Sequence, residues 1–458
     1  MNIKVSLLMN KQLLFIILAG LISTSMAFGQ SKETSIRGKI TVDESLDSTG
    51  DYSGISLNIV SIGGERGVDT LFTAVTNIDG TFSGKARFNS KGEFTASISR
   101  YDIPLGAFAV ILSDADPLTI SAELPDIDGS LSISSNEHKA MDTYKRVESN
   151  YNRIVDFINS GAVEVTQDTI PVILNTWSDL FWSLRESHKG TLAADIGTLR
   201  SIEILGGYND DKLIERVRQS IQDDSFYTAA KAKNGANALI RIESVDAALS
   251  FIDSVLEMNL SEDDRIALEM EQIEIKIDHG RENEAKEMLY AFKETYKNND
   301  NLKEWVDVMV YDIEHVFPGL PVPEFSLQLH KGGRVQHSDL TGKVHLIEIV
   351  NFANTAYQTE HTLLGLMYEA YQDEGLEIVT IPIHDSRVTV NAFIEDKNVK
   401  WPVVSAGQFN SADIIQTFNL TVLPTRILVD TQGKIIRKYS GTNFAIIQND
   451  IIKLLEEE

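Results

Sequence analysis

The sequence predicts a chain of three unlike parts: an antiparallel β-sandwich, an α-helical middle domain and a C-terminal α/β domain. Three observations carry this. Between Ser35 and Ile133, short apolar–polar alternations of period two are broken by turn residues, the pattern of strands half-buried in a sandwich. From Asn136 onward apolar residues recur every three or four positions, the period of helices with one buried face. After Pro318-Gly319-Leu320-Pro321-Val322-Pro323, whose prolines end any helix and favour an extended connector, strand-like and helix-like runs alternate. That alternation fits a mixed sheet with helices on both faces. The expected boundaries are 1–29 for a leader, 30–135 for the sandwich, 136–316 for the helices and 317–458 for the last domain.

The leader reads as a secretory signal peptide: Lys4 and Lys11, the apolar run Leu13 to Ile22, then small residues around Ala27 and Gly29, with cleavage expected between those two. The apolar run is short for a bilayer span. Export to the periplasm or cell envelope as a soluble protein is therefore expected. The net charge of −26 becomes −28 when the leader and its two lysines are removed, which disfavours nucleic acid and anionic lipid as partners. The chain has no cysteine, so neither a structural disulfide nor a lipid-modified cysteine is available.

In the first part, residues 36–42, 55–60, 70–76 and 94–98 read as strands, and Asn77-Ile78-Asp79-Gly80 as the tight turn of a hairpin. Asp43, Glu44, Asp47 and Asp51 crowd one loop; their spacing matches no calcium loop, and a solvated acidic loop is the preferred reading. In the middle, helical stripes run through 141–158, 172–184, 191–205, 212–221 and 242–258. Ser261 is placed to cap a helix that opens with Glu262-Asp263-Asp264. That helix and the one over 284–296 resemble a single tetratricopeptide-type hairpin with no second copy. Trp177, Phe181 and Trp182 read as helix core.

In the last part, 344–350 and 376–383 read as buried strands, 401–404 as a short strand, and 426–429 with 434–439 as a hairpin. Helices are expected over 388–397, 411–418 and 444–455, and the first strand leads into a helix stripe of Leu363, Leu364, Met367, Tyr368 and Tyr371. Glu348 stands alone in an apolar strand and must face a cleft or find a partner, with His345 or a main-chain donor as candidates.

Pro323-Glu324-Phe325-Ser326-Leu327, Leu340-Thr341-Gly342-Lys343, Leu423-Pro424-Thr425 and Leu428-Val429-Asp430 occur in the order that resembles the thioredoxin-like superfamily. The likeness is to the envelope thiol-disulfide oxidoreductases and to alkyl hydroperoxide reductase or thiol-specific antioxidant proteins. The early Asp-Gly-x-Phe hairpin, with Ile36-Arg37-Gly38-Lys39-Ile40 before it, is similar to prealbumin-like sandwich domains that precede such domains in some exported bacterial proteins. The resemblance places the W-C-x-x-C motif on Ala353-Asn354-Thr355-Ala356-Tyr357, so Asn354 and Tyr357 stand where the thiols belong. It also implies a cis bond at Leu423-Pro424 beside the motif.

Thiol exchange needs a thiolate, and peroxide reduction of this type needs a cysteine sulfenate, so the chain by itself is expected to be no enzyme of either kind. The expected function is that of a redox-inactive binding or assembly module for an envelope protein or peptide. Its candidate groove comprises Asn354, Tyr357, Leu423, Pro424 and Thr425. One alternative keeps the family's thiol chemistry through a cysteine-bearing partner; another makes the sandwich and the Trp177/Trp182 region a glycan binder. No cofactor is expected. The nine scattered histidines have no metal-binding spacing, and there is no phosphate loop or serine elbow.

Overall fold

The computed structural model describes residues 32–457, apart from 63–67, 162–165, 167, 224–225 and 443. The expected leader lies outside the described residues. The chain divides after Gln272 into two compact units.

The first unit opens with strands β1 Lys32–Val42, β2 Ile55–Ile62, β3 Val68–Val75, β4 Thr81–Phe88, β5 Gly92–Arg100, β6 Ile103–Leu112 and β7 Leu118–Leu124. A one-turn helix α1 Ile127–Ser130 and a short strand β8 Ser132–Ser134 follow. They form two four-stranded sheets, ordered β4-β1-β7-β8 and β3-β2-β5-β6. Their inner faces share one core, including Ile36, Ile40, Leu57, Ile59, Phe82, Ile98 and Ile120. One pairing departs from the antiparallel expectation: β1 and β7 run parallel, in register from Ile36 and Leu118. These strands are remote in sequence, so no hairpin dictates their direction. Gly38 is required where they meet, because a Cβ there would stand 1.8 Å from the Ile120 carbonyl oxygen. The expected turn forms, with Asn77 N–H on the Thr81 oxygen at 2.8 Å and Gly80 at φ +80°.

Three carboxylates of the acidic loop accept from its own backbone, and Asp47 also pairs with Arg100 at 3.3 Å. Asp43, Asp47 and Asp51 accept N–H groups two residues on, at 2.8, 3.1 and 3.0 Å. Among the described residues no cluster of acidic or histidine side chains is arranged to hold a metal ion.

Helices α2 Asn136–Asn159, α3 Thr169–Ser187, α4 Leu192–Leu205, α5 Asp210–Asp223, α6 Thr228–Ile242 and α7 Val245–Leu256 complete this unit. The stripe expected over 242–258 starts a new helix at Val245, because Ser244 Oγ accepts Ala247 N–H at 3.1 Å. The preceding helix α6 shows no apolar stripe in the sequence, since half of its buried residues are alanine, with Gly235 against Phe251 and Val217. Phe181 is fully buried and meets Tyr151 edge-on, as Trp177 does. Trp182 lies beneath the guanidinium groups of Arg185 and Arg216, each 4.9 Å from its ring.

Helix α8 Glu262–Asp278 spans the division and is capped as expected, Ser261 Oγ accepting Asp264 N–H at 3.0 Å. The second unit continues with α9 Glu282–Thr295 and α10 Asp300–His315, then β9 Ser326–Gln328 and β10 Arg334–Gln336. The last domain follows: β11 Val344–Val350, α11 Thr355–Tyr371, β12 Leu376–Pro382, α12 Arg387–Lys397, α13 Ser411–Thr417, β13 Thr425–Val429, β14 Ile435–Ser440 and α14 Phe444–Glu457.

The sheet order is β12-β11-β13-β14, with β11 and β12 parallel and the other pairs antiparallel. Leu346 and Val350 face α11, α12 and α14; Ile347 and Ile349 face Phe325, Ile414 and Phe418 on the other side. The expected strand over Trp401–Val404 is only two isolated bridges, Val403 to Thr380 and Val404 to Leu329. Pro402 has no N–H, and the segment is divided between two different partners.

Helix α10 is fastened to this domain around Lys438 and Asn419. Lys438 Nζ contacts both oxygens of Asp312, at 2.7 and 2.9 Å, and the Asn419 carbonyl at 2.9 Å. Asn419 Nδ2 reaches Asp312 and the Val308 carbonyl in turn. Lys438→Met is expected to lower the stability of the second unit by about 2 kcal/mol, since it leaves a half-buried carboxylate short of its cation. Urea unfolding followed by Trp305 fluorescence measures it, and an unchanged midpoint would refute the clamp. No helix among the described residues is long and apolar enough to cross a membrane.

Candidate functional site

The site lies where β11 ends and α11 begins, beside the turn that enters β13. Asn354 is the N-cap of α11: its Oδ1 accepts the Tyr357 N–H at 3.1 Å. The Nδ2 of the same side chain donates to the Leu423 carbonyl at 3.2 Å, and the Leu423-Pro424 bond is cis. The loop before the cap is held from below. Asn351 accepts Ala353 N–H at 2.9 Å, Asp385 accepts Phe352 N–H at 3.0 Å, and Gln358 Nε2 donates to the Phe352 carbonyl at 2.7 Å. Burial pushes the Asp385 carboxyl above its ordinary range, with the Phe352 hydrogen bond working against that.

The tertiary structure therefore brings Asn354 to Leu423 but does not lay the five expected groove residues on one surface. Tyr357, Pro424 and Thr425 are buried, while Asn354 and Leu423 are half-buried. Tyr357 follows the cap by three residues, on the face of α11 that packs on the sheet, and its ring lies tilted against Phe352 and Phe393. Thr425 turns its hydroxyl onto the Val422 carbonyl at 2.6 Å.

Beneath this surface lies a buried polar network. Glu348 is fully buried; its Oε1 accepts Arg426 Nε at 3.0 Å, and its Oε2 accepts the Tyr357 hydroxyl at 3.0 Å and Thr380 Oγ1 at 2.9 Å. Arg426 Nη1 reaches Glu360 at 2.8 Å, and the other Glu360 oxygen accepts Phe444 N–H at 3.1 Å, at the first residue of α14. The Tyr357 hydroxyl also lies 3.2 Å from His361 Nδ1, and Trp401 Nε1 donates to Thr380 Oγ1 at 2.8 Å.

Burial and the Glu348 charge hold the Tyr357 hydroxyl well above its ordinary range, and burial lowers His361. Burial opposes the Arg426 charge, but Glu348 and Glu360 outweigh it and leave that charge reinforced.

The partner of Glu348 is thus Arg426, not His345. Side chains alternate along β11, so His345 points to the other face, where its Nδ1 lies 3.0 Å from the Lys343 carbonyl. Arg426, Glu360 and His361 did not stand out in the sequence. One signal was present: Arg426 is a lone charge in an apolar strand, as Glu348 is, and the two face each other across the β11–β13 register.

No thiol exists anywhere in this arrangement, so the chain's own residues supply neither half of a dithiol–disulfide exchange. What remains unpaired is main chain: the N–H of half-buried Leu423 has no partner among the described residues.

The AhpC/TSA family model matches residues 318–438. The C-terminal domain is thioredoxin-like. Thiol-disulfide oxidoreductase ResA of Bacillus subtilis is 24% identical over 143 residues, which cover 31% of this chain and 78% of that protein. The Bacillus anthracis protein of the same name is 26% identical over 131 residues, covering 28% and 73%. Among solved structures, the thioredoxin domain of a thiol-disulfide oxidoreductase from Bacteroides vulgatus covers 30% of this chain and 97% of its own length, at 24% identity and a TM-score of 0.28. The thioredoxin-like domain is similar to these oxidoreductases and carries none of the cysteines their chemistry needs.

Proposed function

We propose that this chain is an exported cell-envelope protein whose redox-inactive thioredoxin-like domain serves as a protein- or peptide-binding or assembly module. The observation that carries the reading is the use made of the two motif positions. Asn354 caps a helix and ties down the turn at Leu423, and Tyr357 fills the core above a buried carboxylate. Neither residue is left free for chemistry. The turn beside them keeps an unpaired main-chain N–H at Leu423, a group that an extended polypeptide can use by strand addition. The basic, apolar and small order of residues 1–29 supports export, and the strong negative charge favours a protein partner over nucleic acid or anionic lipid.

The test is photocrosslinking in the native envelope from a probe at Ala353, which is exposed beside the cap, compared with one at Ile78 in the sandwich turn. A discrete adduct from Ala353, lost in a folded Pro424→Ala protein, is the expected result. An adduct from Ile78 alone would move the function to the sandwich. Reduction of a disulfide substrate by the purified chain with a thiol donor, faster than with the donor alone, would overturn the redox-inactive part.

A further inference from the structure

Strand addition at one residue uses both its N–H and its C=O, and at Leu423 these are not equally available. The N–H is unpaired, whereas the C=O accepts Asn354 Nδ2 at 3.2 Å. The orientation of that carboxamide is set from both ends. Its oxygen takes the Tyr357 N–H at 3.1 Å, so turning it over would set oxygen against the Leu423 oxygen and NH2 against N–H.

We infer that Asn354 is an autoinhibitory latch. It holds the acceptor half of the Leu423 pairing site closed, and an extended polypeptide gains full pairing there only when the amide swings away. This inference rests on the reading of the domain as a strand-binding module. The sequence neighbours of the latched pair are small or uncharged and exposed: Ala353, Thr355, Thr421 and Val422. The half-buried Asp385 carboxylate is turned onto Phe352 N–H. The partner selected is therefore an extended segment with neutral side chains at the contact, recognised first through a main-chain carbonyl.

Asn354→Ser keeps an oxygen that caps α11 but cannot reach Leu423, and Asn354→Asp keeps the cap while removing the donor. The probe is reduced, carboxamidomethylated ribonuclease A, an unfolded basic chain, with folded ribonuclease A as the control for charge. Binding to the full chain by calorimetry at physiological salt should tighten about fivefold in Asn354→Ser, the factor equivalent to one neutral hydrogen bond. Asn354→Asp should tighten binding in the same direction. A through-hydrogen-bond coupling between Asn354 Nδ2 and the Leu423 carbonyl carbon, measured by NMR, should be present in the parent protein.

Equal affinity in parent and Asn354→Ser would overturn the latch and leave the groove reading standing. Weaker binding by a folded Asn354→Ser would also overturn it, by making Asn354 a ligand contact. No binding beyond the folded control in any of the proteins would overturn the groove reading and the latch together.

Discussion

Arg426→Met is expected to destabilise the thioredoxin-like domain by about 4 kcal/mol, because it strands two buried carboxylates without their cation. Methionine matches much of the arginine stem, so little of the loss is packing. What is lost is the charge that both Glu348 and Glu360 face, at 3.0 and 2.8 Å. Urea unfolding of the variant beside the parent measures this, and an unchanged midpoint would sink the explanation. Adding Glu348→Gln to Arg426→Met should recover part of the loss, since it removes one stranded charge.

Tyr357→Ala is expected to cost about 4 kcal/mol, and Tyr357→Phe about 1–2 kcal/mol, the difference separating ring from hydroxyl. The ring is fully buried against Phe352 and Phe393, and its removal opens a cavity beneath the site. The hydroxyl joins Glu348 to His361, so phenylalanine leaves Glu348 Oε2 with Thr380 alone among the bonds described. Paired thermal and urea unfolding of the two variants decides the matter. Equal losses would mean the hydroxyl contributes nothing. Near-neutral behaviour of Tyr357→Ala would mean this position is not core.

Much of the chain was legible because its signals are local. Alternation with period two announced the sandwich, the Asp79-Gly80 turn announced its hairpin, and Ser261 announced the start of α8. The Leu423-Pro424 bond and the order of elements around it followed the thioredoxin-like resemblance. Helix α6 was missed because an alanine face gives a weak periodic contrast. The stretch at Trp401–Val404 was misjudged because four apolar residues cannot say whether a neighbouring strand will accept them.

The candidate site divides along the same line. The loss of thiol chemistry needed only the sequence, since an absent cysteine is absent in every conformation. That Asn354 would cap a helix was implicit in its residue type at a strand-to-helix junction. Its second bond to Leu423, the burial of Tyr357, and the pairing of Glu348 with an arginine 78 residues away were decided only by the tertiary structure. Those contacts depend on which strands lie side by side and in what register. Between strands that no hairpin joins, as β11 and β13, no turn fixes the register, and the packing of whole elements sets it.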